Sequence, residues 1–183
     1  MNGWINAIFY QLTWIVAVAG AGHGLWWPGP LLLVVFMAWQ LTVSTQRRAD
    51  ALLLLCAAAI GFAMDSGLVQ SGVLHYSAAV PWPTLAPIWI VALWMSFALT
   101  LNHCLSYLKA HLLAAAALGA IGAPLAYWAA ASTWGALHFA ASQATALIVL
   151  AAIWAVLTPV LCRLADFLCR HETDRPALHG ART

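Results

Sequence analysis

Long apolar runs recur along almost the whole chain, and they constrain its fold more than any other feature of the sequence. Of the 183 residues, 64% are hydrophobic and only 7% are charged. A soluble domain of average composition is about one quarter charged, so this chain lacks the polar surface that would enclose a soluble core. The sequence therefore predicts an integral membrane protein.

A helix needs about 20 apolar residues to cross a hydrocarbon core about 30 Å thick, and six segments approach that length, the second being short. The first lacks the basic start of a signal peptide and is predicted to be retained. We therefore predict an all-α, polytopic transmembrane bundle of six helices in residues 1–165, followed by a short polar cytoplasmic tail in residues 166–183. The predicted spans are Trp4–Gly22, Pro30–Thr45, Ala51–Leu68, Pro87–Leu108, His111–Ala131 and Ser142–Cys162.

The basic residues predict the orientation of these spans. Six spans would place all seven of them on one side of the membrane: Arg47, Arg48, Lys109, Arg163, Arg170, Arg175 and Arg182. The positive-inside rule assigns that side to the cytoplasm, together with both termini. The four cysteines map to the same side, where thiols stay reduced: Cys56, Cys104, Cys162 and Cys169.

One carboxylate lies alone inside this apolar sequence, because Asp65 is the only acidic residue between Asp50 and Asp166. A helical rise of about 1.5 Å per residue puts Asp65, Trp94 and Tyr127 at nearly one depth, in the outer part of the membrane. An aspartate that faced lipid would cost several kcal/mol, so Asp65 is expected to point into the bundle. These three residues form a candidate ligand-binding pocket.

Small residues accompany the candidate pocket at helical spacing, which is typical of close helix contacts in membranes. They are Ala58 and Gly61 before Asp65, and Ala115, Gly119 and Ala123 before Tyr127. Two interpretations of Asp65 remain open. It can serve a ligand pocket, or it can be a hydrogen-bonded aspartate that only fixes helix packing or reaches the outer interface.

Amide side chains suggest a secondary polar cluster nearer the cytoplasm. Asn102 lies on the fourth predicted span, and Asn6 and Gln11 lie on the first. Buried amides often only link helices by hydrogen bonds, so a structural role is the alternative. His103, beside Asn102, lies near the predicted cytoplasmic interface.

Other functional classes find little support in the sequence. His23, His75 and His138 fall in three outward loops, but no metal-ligand spacing joins them, and no metal or cofactor is expected. The chain has no nucleophile triad, phosphate-binding loop or dinucleotide fingerprint, so its catalytic residues, if it is an enzyme, are unknown. A formal charge of +2 without a basic patch argues against nucleic acid.

Four motifs stand out along the chain: NAIFYQLTW, IGFAMDSGLVQSGVLHY, PIWIVALWMSFALTLNHCLSYL and GAIGAPLAYWAAASTWGALHF. Together they resemble a family of uncharacterised bacterial inner-membrane proteins, DUF2878, over about residues 3–160. Positions that match are Asn6, Gln11, Trp14, Asp65, Gly72, Pro87, Trp94, Asn102, Gly122, Pro124 and Tyr127. Family members often have Ser at Cys104, and His103 varies. The resemblance implies a multi-helix protein of the bacterial inner membrane with no established activity.

The genes of that family often lie beside genes resembling cyclopropane-fatty-acid synthases and flavin amine oxidases, which implies lipid modification. We therefore expect lipid or fatty-acid handling through an outer-leaflet pocket around Asp65, with membrane lipids as partners and a lipid-modifying enzyme as a candidate protein partner. A carboxylate in an apolar, aromatic pocket suits such a ligand. The alternatives are a small proton-coupled transporter, which lacks the expected internal repeat, and a structural membrane partner.

Overall fold

Six helices follow the apolar runs in the computed structural model, which describes residues 3–179 and the side chains of residues 3–173. The helices are α1 (Gly3–Gly22), α2 (Pro28–Val43), α3 (Arg47–Gln70), α4 (Ile88–Leu101), α5 (Leu112–Trp134) and α6 (Gln143–His179). Two three-residue strands, β1 (Leu74–Tyr76) and β2 (Leu137–Phe139), follow α3 and α5. This architecture confirms the predicted all-α bundle.

The helices also support the assignment to a membrane. Four of them, α1, α3, α5 and α6, are long and apolar enough to cross one, while α2 and α4 are shorter apolar helices. Large apolar side chains such as Leu55, Ile121 and Ile148 are exposed on the outside of the bundle. Such a surface suits contact with lipid, and the chain is accordingly a membrane protein.

The central element is α4, which packs against α1, α2, α3 and α6. Most of its side chains are buried inside the protein. The sequence predicted a helix over Pro87–Leu108, but α4 ends at Leu101. The backbone N–H groups of His103 and Leu105 donate to the carbonyl of Thr100, and a short 3₁₀ turn follows at Ser106–Lys109. The chain after α4 is therefore irregular, with Leu108 buried and Tyr107 exposed.

The most extensive helix contact joins α5 to α6. The predicted series of small residues on α5 is buried, and it includes Ala115, Gly119 and Ala123. A Cβ atom at Gly119 would lie 2.2 Å from the Trp154 carbonyl oxygen and 2.3 Å from Thr158 Oγ1. The two backbones therefore approach so closely at this point that only glycine fits.

Basic residues gather at one end of the bundle, which we call the basic end. There α3 begins with Arg47 and Arg48, and the N–H groups of Arg48 and Ala49 donate to the Glu172 carboxylate on α6 at 3.2 and 2.8 Å. This carboxylate satisfies free donors at the start of α3. Helix α6 continues to His179, beyond residue 166 where a separate tail was predicted to begin, while Arg182 lies outside the described residues and Arg175 outside the described side chains.

The two strands pair at the opposite end, which we call the strand end. β1 and β2 are antiparallel, with His75 opposite His138. Ser77 N and the Ala136 carbonyl extend the contact at 2.9 Å. Both segments were predicted to be loops. Their pairing joins the α3–α4 connection to the α5–α6 connection and fixes where Tyr76 lies.

Candidate functional site

Asp65 is fully buried, and its carboxyl group accepts three hydrogen bonds. The hydroxyls of Tyr76 and Tyr127 donate to Oδ1 at 2.5 and 2.8 Å. The indole Nε1 of Trp94 donates to Oδ2 at 2.6 Å. No ion pair reaches Asp65 among the described side chains. Three neutral donors on two oxygens suit a carboxylate, which is an acceptor only.

The predicted trio of Asp65, Trp94 and Tyr127 is thus brought together by three different helices. Gly61, one turn before Asp65, makes the approach of α4 possible. A Cβ atom there would lie 2.2 Å from Trp94 Cγ, so the indole ring lies directly against the α3 backbone. The absence of a side chain at Gly61 lets the Trp94 N–H reach the carboxylate on the same helix face.

Tyr76 completes the set of donors to Asp65, although it was not predicted from the sequence. It lies on β1 and packs edge-on against Trp89, with the ring centroids 5.4 Å apart. Burial and, after it, the nearby Asp65 carboxylate raise the pKa of Tyr76 well above its ordinary value. Its hydroxyl therefore keeps its proton and remains a donor to Asp65.

A cavity of about 360 Å³ lies beside this group, and we call it the aromatic cavity. Its walls are mostly apolar and come from α1, α4, α5 and α6. Trp94 and Tyr127 line it, whereas Asp65 and Tyr76 do not. The carboxylate therefore lies behind the wall and holds two of its aromatic side chains in place.

The aromatic cavity reaches the surface between α1 and α5. Its exposed lining residues are Gln11 on α1 and Leu118 on α5, and these two helices make few contacts with each other. On α5 the lining extends from Leu118 to Ala130, which is about 18 Å along the helix axis. The cavity is consequently elongated and opens sideways, toward the lipid-facing surface.

Helix α6 supplies the remaining aromatic wall. The Trp154 ring stacks on Trp94, with centroids 4.3 Å apart, and meets Phe97 edge-on at 5.6 Å. Thr158 lies one turn further along α6 and also lines the cavity. Its buried hydroxyl has no hydrogen-bond partner among the described residues. The mostly apolar wall thus includes an unpartnered hydroxyl, in addition to polar lining residues such as Gln11 and Thr100.

The residues of the predicted secondary cluster separate into different places. Gln11 lines the aromatic cavity, while Asn6 and Asn102 line a second cavity of about 260 Å³ near the basic end. Asn6 Nδ2 donates to Gln40 Oε1 at 2.6 Å and to the Leu99 carbonyl at 3.1 Å. Asn6 and Asn102 therefore share a cavity without a direct hydrogen bond, and Gln11 is not part of it.

Asp50 is the centre of the polar network at the basic end, although it was not among the site residues predicted from the sequence. It is 1% exposed. Asn102 Nδ2 donates to its Oδ1 at 2.9 Å, while Ser44 Oγ and His103 Nε2 lie 2.6 and 2.9 Å from its Oδ2. Lys109 Nζ in turn donates to Asn102 Oδ1 at 3.0 Å.

The loop histidines do not gather into one site in the described part of the chain. His75 and His138 are neighbours on the paired strands, whereas His23 follows α1 and its Nδ1 lies 2.8 Å from the Ala19 carbonyl. No group of three or more His, Cys, Asp or Glu side chains that could hold a metal occurs among the described residues. The four cysteines are free thiols, and Cys169 donates to Gln46 Oε1 at 2.9 Å.

Helical periodicity carried a signal for two of the missed residues. Asp50 precedes Leu54, Ala57, Gly61 and Asp65 at spacings of three or four, and all of them are buried. Trp154 falls in a similar series on α6, with Ala146, Leu150 and Thr158. Tyr76 carried no such signal, because its position depends on pairing between two short segments far apart in the chain.

Comparison with known proteins yields one match. A family model described as "Protein of unknown function (DUF2878)" matches residues 3–160. No curated protein and no solved structure matches the chain.

Proposed function

This chain belongs to the DUF2878 family, and from that premise we propose that it handles a membrane lipid or fatty acid, whose acyl chain enters the aromatic cavity. The single observation that carries the proposal is the sideways opening between Gln11 and Leu118 into an elongated apolar cavity. A cavity of about 360 Å³ falls within the range of small-molecule sites. An acyl chain would gain contacts with aromatic walls without leaving the membrane.

In this proposal the aspartate acts indirectly. Asp65 holds Trp94 and Tyr127, which contact the acyl chain, and the Thr158 hydroxyl meets a polar atom of the ligand. Buried polar groups without partners are costly, so a ligand that bonds to Thr158 would gain affinity there. Handling would take the form of binding, presentation to a lipid-modifying enzyme, or modification by the chain itself.

The transporter alternative is less well supported by the geometry. Such a protein would need a polar route between Asp65 and the polar network at the basic end. Between Asp50 and Asp65, α3 carries no charged side chain, and Asp65 does not open into the aromatic cavity. The lipid-binding proposal therefore takes precedence.

The proposal predicts that filling the aromatic cavity will expel bound lipid without unfolding the protein. Gly122 lines the cavity, and the nearest atom to a Cβ built there is Leu118 Cδ1, at 3.9 Å. We expect Gly122→Leu to fold normally and to lose most of the lipid that co-purifies with wild type. The measurement is mass spectrometry of extracted lipids, with melting temperature recorded in parallel.

Gly67→Leu is the matched control, because Gly67 is exposed on α3 with no atom within 4 Å of a built Cβ. It should retain lipid at the wild-type level. Equal lipid content in wild type, Gly122→Leu and Gly67→Leu would contradict the proposed binding site.

We further propose that the basic end faces the cytoplasm, in the bacterial inner membrane, with both termini on that side. In a cysteine-free chain, Thr133→Cys near the strand end should react with a membrane-impermeant maleimide applied to intact cells. Ala110→Cys near the basic end should react only after the cells are broken. Both positions are exposed, so a reversed labelling pattern would overturn this orientation.

A further inference from the structure

The second cavity, at the basic end, has the features of a separate binding site, and we call it the polar cavity. It has a volume of about 260 Å³ and lies between the start of α1, the end of α2 and the chain that follows α4. Val43, the exposed member of its lining, marks where it opens. The lipid-handling proposal makes no use of this cavity.

Asn6 gives the first indication of the ligand. Its side chain is 1% exposed, and both hydrogens of its amide nitrogen are engaged, one by Gln40 Oε1 and one by the Leu99 carbonyl. A carbonyl can only accept, so Leu99 fixes which way the Asn6 amide points. Asn6 Oδ1 then remains without a partner among the described residues. It lacks a donor.

His103 gives the second indication. Its Nε2 lies 2.9 Å from the Asp50 carboxylate, which can only accept, so this nitrogen carries the proton. In the neutral ring the other nitrogen, Nδ1, is then an acceptor. Asn6 and His103 both line the polar cavity, and from this we infer two acceptors for a ligand, Asn6 Oδ1 and the Nδ1 of a neutral His103 ring. Ser106, also in the lining, can donate or accept.

Trp39 and the nearby charges define the ligand further. Trp39 lines the polar cavity, and the face of an indole attracts a cation. The Asp50 carboxylate contacts His103 and the Lys109 ammonium contacts Asn102, so two opposite charges lie behind the lining and offset each other. The two acceptors and Trp39 therefore favour a cationic ligand group with several N–H donors.

We propose that the polar cavity binds a primary ammonium group, held by Asn6 Oδ1 and His103 Nδ1 against the Trp39 ring. Two sources share this chemistry: the ethanolamine head group of a phospholipid and a small free amine. Asp50 acts as a positioning residue, because it fixes the His103 ring and its tautomer without contacting the ligand.

The experiment compares two lipids with the same head-group charge, in which the nitrogen carries either three hydrogens or three methyl groups. The full chain is placed in nanodiscs of phosphatidylglycerol doped with dioleoyl phosphatidylethanolamine or dioleoyl phosphatidylcholine, and retained lipid is measured by native mass spectrometry. The choline head group keeps the charge but has no N–H donor. We expect phosphatidylethanolamine to be retained about tenfold more strongly than phosphatidylcholine, as expected for a hydrogen bond to a charged group. Equal retention of the two lipids would overturn the proposal.

Variants then locate the site. His103→Phe removes the acceptor and should abolish the preference for phosphatidylethanolamine, and Ser106→Ala provides a second, milder lining variant whose fold is expected to be unperturbed. His75→Phe, on the exposed face of β1, is the control and should retain the preference. A preference that survives in both lining variants, or disappears in His75→Phe, would contradict the assigned site.

A parallel titration with radiolabelled ethanolamine in phosphatidylglycerol nanodiscs distinguishes the two sources. Saturable binding that His103→Phe removes would identify a free amine as a ligand. Lipid selectivity without ethanolamine binding would assign the site to a phospholipid head group. If the protein shows neither lipid selectivity nor ethanolamine binding, the proposal is overturned. The acyl-chain site in the aromatic cavity is tested separately, with Gly122→Leu.

Discussion

Replacing Asp65 with alanine is expected to lower the melting temperature by about 10 °C and to remove co-purified lipid. The change leaves the Tyr76 hydroxyl, the Tyr127 hydroxyl and the Trp94 N–H without their shared acceptor. A buried donor without a partner costs about 1–3 kcal/mol, so three of them predict a loss of about 3 kcal/mol or more. Thermal unfolding in detergent, followed by circular dichroism, measures the shift.

Asp65→Asn is the matched variant. An asparagine keeps the shape, and its oxygen can accept from Trp94 while its amide donates to the tyrosine hydroxyls, which can reverse their roles. Since Asp65 does not line the aromatic cavity, we expect this variant to be more stable than Asp65→Ala and to retain lipid. Equal damage in both would show that the negative charge is itself required. Wild-type stability in Asp65→Ala would refute the anchoring role.

The sequence predicted the helices well because lipid leaves few choices. Apolar runs of this length must satisfy their backbone groups internally, and helices do so locally. Predicted helix ends were less accurate. The fourth run was expected to stay helical to Leu108, yet α4 ends at Leu101, and the chain beyond it brings Asn102 and His103 to Asp50. The hydrophobicity of a segment cannot predict a polar contact with a residue far away in the chain, so it could not predict this helix end.

The site was predictable only where helical geometry determines position. Membrane depth and helix face predicted that Asp65, Trp94 and Tyr127 lie together, and hydrogen bonds join these three residues in the structure. The same reasoning could not place Tyr76, which depends on β1 pairing with β2 some 60 residues later in the chain. It also could not show that the cavity lies in front of Trp94 rather than around Asp65. That relation depends on where neighbouring side chains leave space.

The contrast between the two cavities bears on what each can do. The aromatic cavity opens sideways between α1 and α5 and is lined mainly by rings and small residues, which suits a chain without polar groups. The polar cavity, whose exposed lining residue is Val43 at the basic end, is lined by polar residues that include Asn6 and His103. If both proposals hold, the protein recognises apolar and cationic groups at separate places, the cationic group near the start of α1.

Gly119→Leu is expected to have the largest effect on folding. Even a single Cβ atom there would lie 2.2 Å from the Trp154 carbonyl oxygen, a backbone atom of α6 that no side-chain rotation can move away. Overpacking costs about 1–3 kcal/mol when side chains can yield, and more is expected where backbone must separate. Because α5 and α6 form the most extensive contact in the bundle, we expect little folded protein after detergent extraction, as measured by size-exclusion chromatography with fluorescence detection.

Gly122→Leu, three residues further along the same helix, adds the same side chain toward open space and should elute as a single folded species. If both variants elute like wild type, α5 and α6 do not pack through Gly119, and the wall that carries Trp154 and Thr158 would have to be placed differently.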